Sequence, residues 1–414
     1  MKQEILNNLD HPDKIEALYR NNKTDFKNAF RQIYPEIQHH LTARVWNERL
    51  NFEQSEISWG SQKEVLFVII AAVVAGLIAK LPEMFSMNED SFYFRNSGFV
   101  VFPILSAYFA WKGKLNSVKI IWTVSMILVS VIFINLLPQE ENSDTLKLAC
   151  IHLPLLLWGI LGFTYVGSKF SNARKRPDFL KYNGDLVVMS TVILIAGAVL
   201  AGITLGLFEL IELHIEEFYF QYFGIWGIAA IPIIATHLVE TNPHLVNKVS
   251  PVIAKIFTPL VLITLVVYLA AIVYTGKDPY NDREFLLFFN LLLIGVMAII
   301  LFSIAETSRN SSGKTGTILL LMLAVMTIVV NGTALSAILF RISTWGITPN
   351  RLAVLVGNLL ILINLLMVTY SIFKSLKHPD KKEDIEKSIT SYLPVYIAWT
   401  AVVVFLFPFI FNFR

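Results

Sequence analysis

Apolar residues in this chain gather in long runs separated by short polar connectors. Runs near 20 residues match the length of a helix that crosses a bilayer. Eleven are read here: Val65–Leu81, Gly98–Trp111, Ile120–Leu137, Leu148–Val166, Leu186–Phe208, Tyr219–Leu238, Ile256–Tyr274, Phe285–Ser303, Ile318–Phe340, Leu352–Phe373 and Leu393–Phe411. Gly98–Trp111 is short for a crossing, and is either extended by Phe92–Phe94 or re-entrant. Residues 1–63 follow another pattern, with apolar positions at i, i+3 and i+4. One helix opens at Asp10-His-Pro-Asp and aligns Ile15, Leu18 and Tyr19. A second, from Thr24, aligns Phe26, Phe30, Ile33 and Tyr34 and is expected to stop before Pro35. A third lines up Ile37, Leu41, Val45, Trp46 and Leu50.

The expected fold is therefore all-α: a polytopic helical membrane protein with about eleven transmembrane helices. Residues 1–63 form a cytoplasmic amphipathic helical segment, and residues 64–414 the transmembrane domain. The short helices can pack on one another, on the membrane surface or on a partner. The first membrane helix is expected to act as an uncleaved insertion signal, because the first long run begins near Val65.

Composition supports the membrane class, since 55% hydrophobic and 16% charged residues are unlike an ordinary soluble domain. A net charge of +3 says nothing about nucleic acid, and none is expected as a partner. The single cysteine, Cys150, excludes an internal disulfide and a cysteine-rich metal site. His152 reads as a packing residue, and His39 and His40 are adjacent, not one helical turn apart. Ser312-Gly-Lys-Thr315 lacks the upstream glycine of a phosphate loop. No zinc motif and no nucleophile elbow occur. No metal, cofactor or catalytic residue is expected.

Charge distribution orients the chain. With alternating sides, 26 of the 34 lysines and arginines fall on the side of residues 1–63 and 7 on the other, Lys80 lying within the first run. Positive residues concentrate on the cytoplasmic side. The expected location is the bacterial inner membrane, N-terminus cytoplasmic and C-terminus outside. The outer connectors are also acidic: Glu83, Glu89, Asp90, Glu140, Glu141, Asp144, Glu209, Glu212, Glu216, Glu217, Asp278, Asp282 and Glu284.

Within the eleven runs no Asp, Glu, Lys or Arg lies between the interfacial ends, and Lys80 is expected to reach the headgroups. Ion-coupled pumps place ionisable groups at mid-depth, so this pattern lowers that reading. Carriers that use broken helices stay open, and Tyr222-Phe-Gly-Ile-Trp-Gly-Ile-Ala-Ala-Ile-Pro232 is a candidate break. Polar residues inside the runs cluster late: Asn290, Asn331, Thr333, Ser336, Asn358 and Asn364. They serve either as interhelical glue or as a pocket.

The most specifically built connector is Arg341-Ile-Ser-Thr-Trp-Gly-Ile-Thr-Pro-Asn-Arg351. Gly346 permits positive φ, Pro349 fixes its own φ, and Asn350 is the expected N-cap of the next helix. Two guanidiniums in so short a loop repel unless something anionic lies beside them. The candidate binding site is Arg341, Trp345, Thr348 and Arg351 with the amides Asn358, Asn331 and Asn290 below. Glu209, Glu212, Glu216 and Glu217 are candidate ion-pair partners. This loop between two membrane helices resembles an uncharacterised bacterial multi-pass membrane family, Domain of Unknown Function forty-one fifty-three. The resemblance covers about Val65 to Phe411, with the Glu16-Ala-Leu-Tyr-Arg and Trp46-Asn-Glu-Arg-Leu50 patterns as an extension. It implies the helical membrane fold and no particular activity.

Three functions remain. The first is transport or handling of a small molecule or lipid at an outward-facing polar pocket. The second is a sensor or scaffold coupling the outer loops to the N-terminal helices. The third is a membrane-embedded enzyme of envelope metabolism, which lacks a catalytic constellation. The expected partners are the lipid bilayer, an anionic ligand or lipid headgroup, and a cytoplasmic protein at residues 10–50.

Overall fold

The computed structural model describes residues 1–52, 58–138, 143–167, 175–209, 213–246, 249–275, 280, 283–307, 314–377 and 383–414. Every regular element among them is a helix. Glu140, Glu141, Glu212, Asp278, Asp282 and the Asn172-Ala-Arg run lie outside the described residues. The chain divides into two compact units, Met1–Gly60 and Ser61–Arg414.

The first unit holds α1 (Lys2–Asn7), α2 (Pro12–Asn21), α3 (Lys23–Ile37) and α4 (Leu41–Phe52). Its apolar faces close on one another: Ile5, Ile15 and Phe26 are fully buried, and Phe30 and Leu50 nearly so. The rings of Tyr19, Phe26 and Trp46 meet pairwise at centroid distances of 5.1 to 5.6 Å. Glu16 on α2 ties the surface, accepting from Arg20 Nε at 2.8 Å and from Arg49 Nη1 on α4 at 2.6 Å. The Arg49 guanidinium also lies 4.5 Å from the Trp46 ring.

Three expectations change here. An added helix, α1, contributes Ile5 to the core. Helix α3 runs through Pro35, which removes one backbone bond close to the helix end while Ile37 still reaches the core. Leu41 and Val45 face outward, 66% and 58% exposed, because Ala43, Trp46 and Leu50 form the buried face of α4.

The second unit contains α5 (Gln62–Met84), α6 (Glu89–Lys112), α7 (Ser117–Leu136), α8 (Asp144–Val166) and α9 (Lys175–Glu209). Next come α10 (Glu216–Tyr219), a π-helical turn (Phe220–Gly224), α11 (Ile225–Thr241), α12 (Pro243–Val246), α13 (Val249–Thr275) and α14 (Arg283–Thr307). The chain continues with α15 (Lys314–Trp345), α16 (Pro349–Lys377), α17 (Glu383–Thr390), α18 (Leu393–Phe405) and α19 (Phe407–Ile410). Eight helices among the described residues are long and apolar enough to cross a membrane, so this is a multi-pass helical membrane protein. The short run at Gly98–Trp111 belongs to α6, a continuous helix of 24 residues. At ~1.5 Å per residue that is about 36 Å.

Small residues let these helices approach closely. On α5, Ala71, Ala75 and Ala79 recur every four residues and are buried. A Cβ on Gly76 would collide with the ring of Trp226 on α11. One apolar core gathers around α5, α6, α9 and α11, and another around α13 to α17.

Helix ends are closed by side chains from elsewhere in the chain. Arg95, on α6, donates from Nη1 to the carbonyls of Ile134 at 2.7 Å and Leu137 at 2.9 Å, where α7 ends. Lys119 donates to the Gly167 carbonyl at 2.7 Å, just past α8, and Arg176 to that of Thr390 at 3.1 Å. At the start of α8, the Thr145 N–H donates to the Arg414 carbonyl at 2.9 Å, and Ser143 Oγ to that of Phe413 at 2.9 Å. Asn412 and Phe413 adopt positive φ to bring those carbonyls round. The loops that meet in this way, and through the Lys112–Glu240 pair at 3.2 Å, are loops that the charge bias assigns to the same side.

The interior is less free of charge than the apolar runs imply. Helices continue beyond those runs and carry Arg95 and Asp185 into the protein, at 7% and 5% exposure. Lys80 does not reach outward: it is 5% exposed, with Glu83 as its partner and its ammonium 4.8 Å from the Tyr222 ring.

Replacing Arg95 by Met keeps an unbranched apolar stem and removes the guanidinium donors. The carbonyls ending α7 then lose their partners, for an expected cost of about 2–3 kcal/mol. Thermal unfolding of the purified protein in detergent measures it, and an unchanged midpoint would show that the clamp is dispensable. In the first unit, Arg20 and then Arg49 hold the Glu16 carboxyl below its usual value. A lowered folded-state value gives stability that is present above the unfolded carboxylate range and lost as pH falls through the lowered value. Amide exchange in α2 and α4 should accelerate over that acid window, and the acceleration should vanish in Glu16→Gln.

Candidate functional site

The α15–α16 connector begins where α15 runs out of backbone partners. Gly346 takes φ +77° and its N–H returns to the Ile342 carbonyl at 2.9 Å, closing the helix with a left-handed residue. Thr348 caps the next helix. Its Oγ1 accepts from the Arg351 N–H at 3.3 Å, and its carbonyl from the Leu352 N–H at 2.9 Å. Pro349 stands at the first helical position, which its fixed φ suits. Asn350, the expected cap, therefore lies one position inside the helix. Only Gly346, Ile347 and Thr348 remain between the two helices.

The turn brings Arg341, Trp345 and Arg351 together. The Trp345 ring lies 5.3 Å from the Arg341 guanidinium and 5.7 Å from that of Arg351. Arg351 Nη1 donates to the carbonyls of Trp345 at 2.9 Å and Gly346 at 2.7 Å. Both guanidiniums thus lie against the Trp345 ring, and that of Arg351 also meets the negative end of the α15 dipole. Trp345 stays 47% exposed. No ion pair among the described residues joins Arg341 or Arg351 to Glu209, Glu216 or Glu217, and Glu216 instead meets His214 at 3.8 Å. Glu212 lies outside the described residues.

The amides form a connected chain below. Asn358 Nδ2 on α16 donates to Asn290 Oδ1 on α14 at 2.9 Å, and Asn331 Nδ2 on α15 to the Asn358 carbonyl at 3.2 Å. Asn331 and Asn358 are buried, at 0% and 3% exposure. Among the described residues the Asn331 Oδ1 has no hydrogen-bond partner. Asn364 turns elsewhere, donating to the Tyr396 hydroxyl at 3.1 Å. The seven residues from Arg351 to Asn358 separate the cations from the amides by about 10 Å. The structure therefore joins Arg341, Trp345, Thr348 and Arg351 in one cluster and the three amides in another.

Two groupings escaped the sequence. Lys80, Glu83 and Tyr222 meet where α5 passes the π turn. Lys112 on α6 reaches Glu240 at 3.2 Å and the Tyr108 hydroxyl at 3.4 Å, beside a Tyr182–Thr236 bond of 2.8 Å. Neither has a local motif, because each assembles from separate helices. The candidate break at Tyr222–Pro232 is met only at its first residues: a π turn covers Phe220–Gly224, and α11 then runs without interruption from Ile225 through Pro232. Among the described residues no three His, Cys, Asp or Glu side chains are placed to hold a metal ion. Comparison with protein-family models, curated proteins and solved structures finds no match.

The two linked amides should respond differently to substitution. Asn358→Leu leaves Asn290 Oδ1 without its donor, at an expected cost of about 1–3 kcal/mol. Asn331→Leu removes an unpaired buried oxygen along with one long hydrogen bond, and should be close to neutral. Thermal unfolding of both variants in detergent checks the order, and equal losses would contradict it.

Proposed function

We propose that this protein handles an anionic small molecule or lipid at the end of the bundle that carries the Arg341–Arg351 hairpin. The observation behind this reading is the paired guanidinium arrangement on an exposed Trp345 ring. Arg351 commits Nη1 to backbone carbonyls, while its other nitrogens have donor capacity for a carboxylate or phosphate. Asn358, Asn331 and Asn290 hold α14, α15 and α16 beneath the cluster and so keep the hairpin in place. In this reading the chain crosses a bacterial inner membrane about eleven times, and the hairpin faces outward. The positive bias toward residues 1–63 supports that orientation. The likeness to Domain of Unknown Function forty-one fifty-three rests on the same hairpin.

A sensor or scaffold role is the second reading, favoured by the separate core of Met1–Gly60. A folded unit with its own aromatic centre offers a surface to a cytoplasmic protein partner at residues 10–50.

Arg341→Gln and Arg351→Gln separate anion handling from structural bracing. Each variant should fold with near-normal yield yet carry less phosphatidylglycerol relative to phosphatidylcholine after purification from mixed vesicles, as read by native mass spectrometry. Unchanged lipid retention in both would remove the hairpin as an anion site. Collapse of the yield in both would make it a structural brace.

A further inference from the structure

Among the described residues, Lys80 is the one lysine that is more than nine-tenths buried. A charge at that depth needs a counter-charge and favourable dipoles around it. Lys80 has both, and the counter-charge sits toward the surface. Its partner Glu83 has a side chain 41% exposed and lies in the last turn of α5. Pro82, between the two, lacks the N–H that would bond back to Ile78, which weakens that turn. The Tyr93 hydroxyl donates to the Ala79 carbonyl at 2.7 Å and steadies the turn from α6.

The other side of the ammonium faces an aromatic surface. Tyr222 sits in the π turn, where the wider winding re-aims side chains. Trp226 fits against Gly76, one turn below Lys80, and so fixes the register that carries Tyr222 to the ammonium. Beyond Tyr222 stands Phe218, with ring centroids 4.9 Å apart. Phe218, Tyr222 and Phe223 are 57%, 48% and 59% exposed. A buried cation thus continues into an open aromatic face.

We propose that Lys80 and the Phe218–Tyr222–Phe223 surface bind a single-chain amphiphile with one anionic head. The head takes the place of Glu83 on the ammonium, and the chain lies along the rings. This site uses α5 and the π turn and stands apart from the α15–α16 hairpin, so either can fail alone.

The test is equilibrium binding of radiolabelled dodecanoate to the purified full-length protein in a neutral maltoside detergent. Glu83→Gln removes the competing carboxylate and should tighten binding about tenfold. Lys80→Met should abolish saturable binding, and Tyr222→Leu, which leaves the lysine in place, should weaken it several-fold. Dodecanol and acetate should not compete, because one lacks the charge and the other the chain. Arg351→Gln should bind as wild type. Equal affinity in wild type and Glu83→Gln would show a structural ion pair and overturn the proposal. So would unaltered binding in Tyr222→Leu, which also decides the matter if Lys80→Met fails to fold. Displacement of dodecanoate by phosphatidylglycerol at equal concentration would overturn the assignment to a single-chain ligand.

Discussion

A helix end buried away from water has carbonyls that must find a donor, and much of this structure follows from that constraint. The chain answers it repeatedly with cations. Arg95 closes α7, Lys119 the end of α8 and Arg176 the end of α17, and Arg351 does the same at the more exposed end of α15. In each case a positive group meets the negative end of a helix dipole, so hydrogen bonding and electrostatics act together. In each case, too, donor and acceptor belong to different helices. The same contacts that satisfy the backbone therefore set how neighbouring helices sit.

The same constraint bears on the hairpin. Two arginines in a short loop look like an anion site on charge grounds alone. The carbonyls of Trp345 and Gly346 already supply part of the missing negative potential, and the Trp345 ring supplies more. What an incoming anion meets at Arg351 is a guanidinium already held in place by the Trp345 and Gly346 carbonyls and the Trp345 ring. The Lys80 pair differs, since a carboxylate must move before a ligand can enter.

Much of the fold was legible because bilayer helices leave a strong signal in apolar run length. The ends were harder. Apolar runs stop where polar residues begin, while helices continue until a cap ends them, so α6 reaches back to Glu89 and α9 to Lys175. Those extra turns carry Arg95 and Asp185, and a reading by hydropathy passed over both. At the hairpin, Gly346 and Trp345 were readable from residue type. The cap fell on Thr348 because Pro349 can start a helix where Asn350 would have had to precede one. The links among Asn290, Asn331 and Asn358 were foreshadowed by their similar depth, whereas the bond partners depended on helix rotation, which run length does not encode. In the N-terminal unit, periodicity found the buried positions of α2 and α3. It failed on α4 because Leu41 and Val45 mimic a core stripe while the smaller Ala43 faces inward.

The contact between Ser143 and Phe413 spans 270 residues of chain. At translation rates of about 5–20 residues per second, those residues take roughly a quarter of a minute to a minute to make. Throughout that interval the first turn of α8 lacks the carbonyls that will complete it. Helices α6 and α7 can already have packed, but the α8 end of their bundle is still open. The contacts of Ser143 and Thr145 with Phe413 and Arg414 can thus form only once the whole intervening chain has been made.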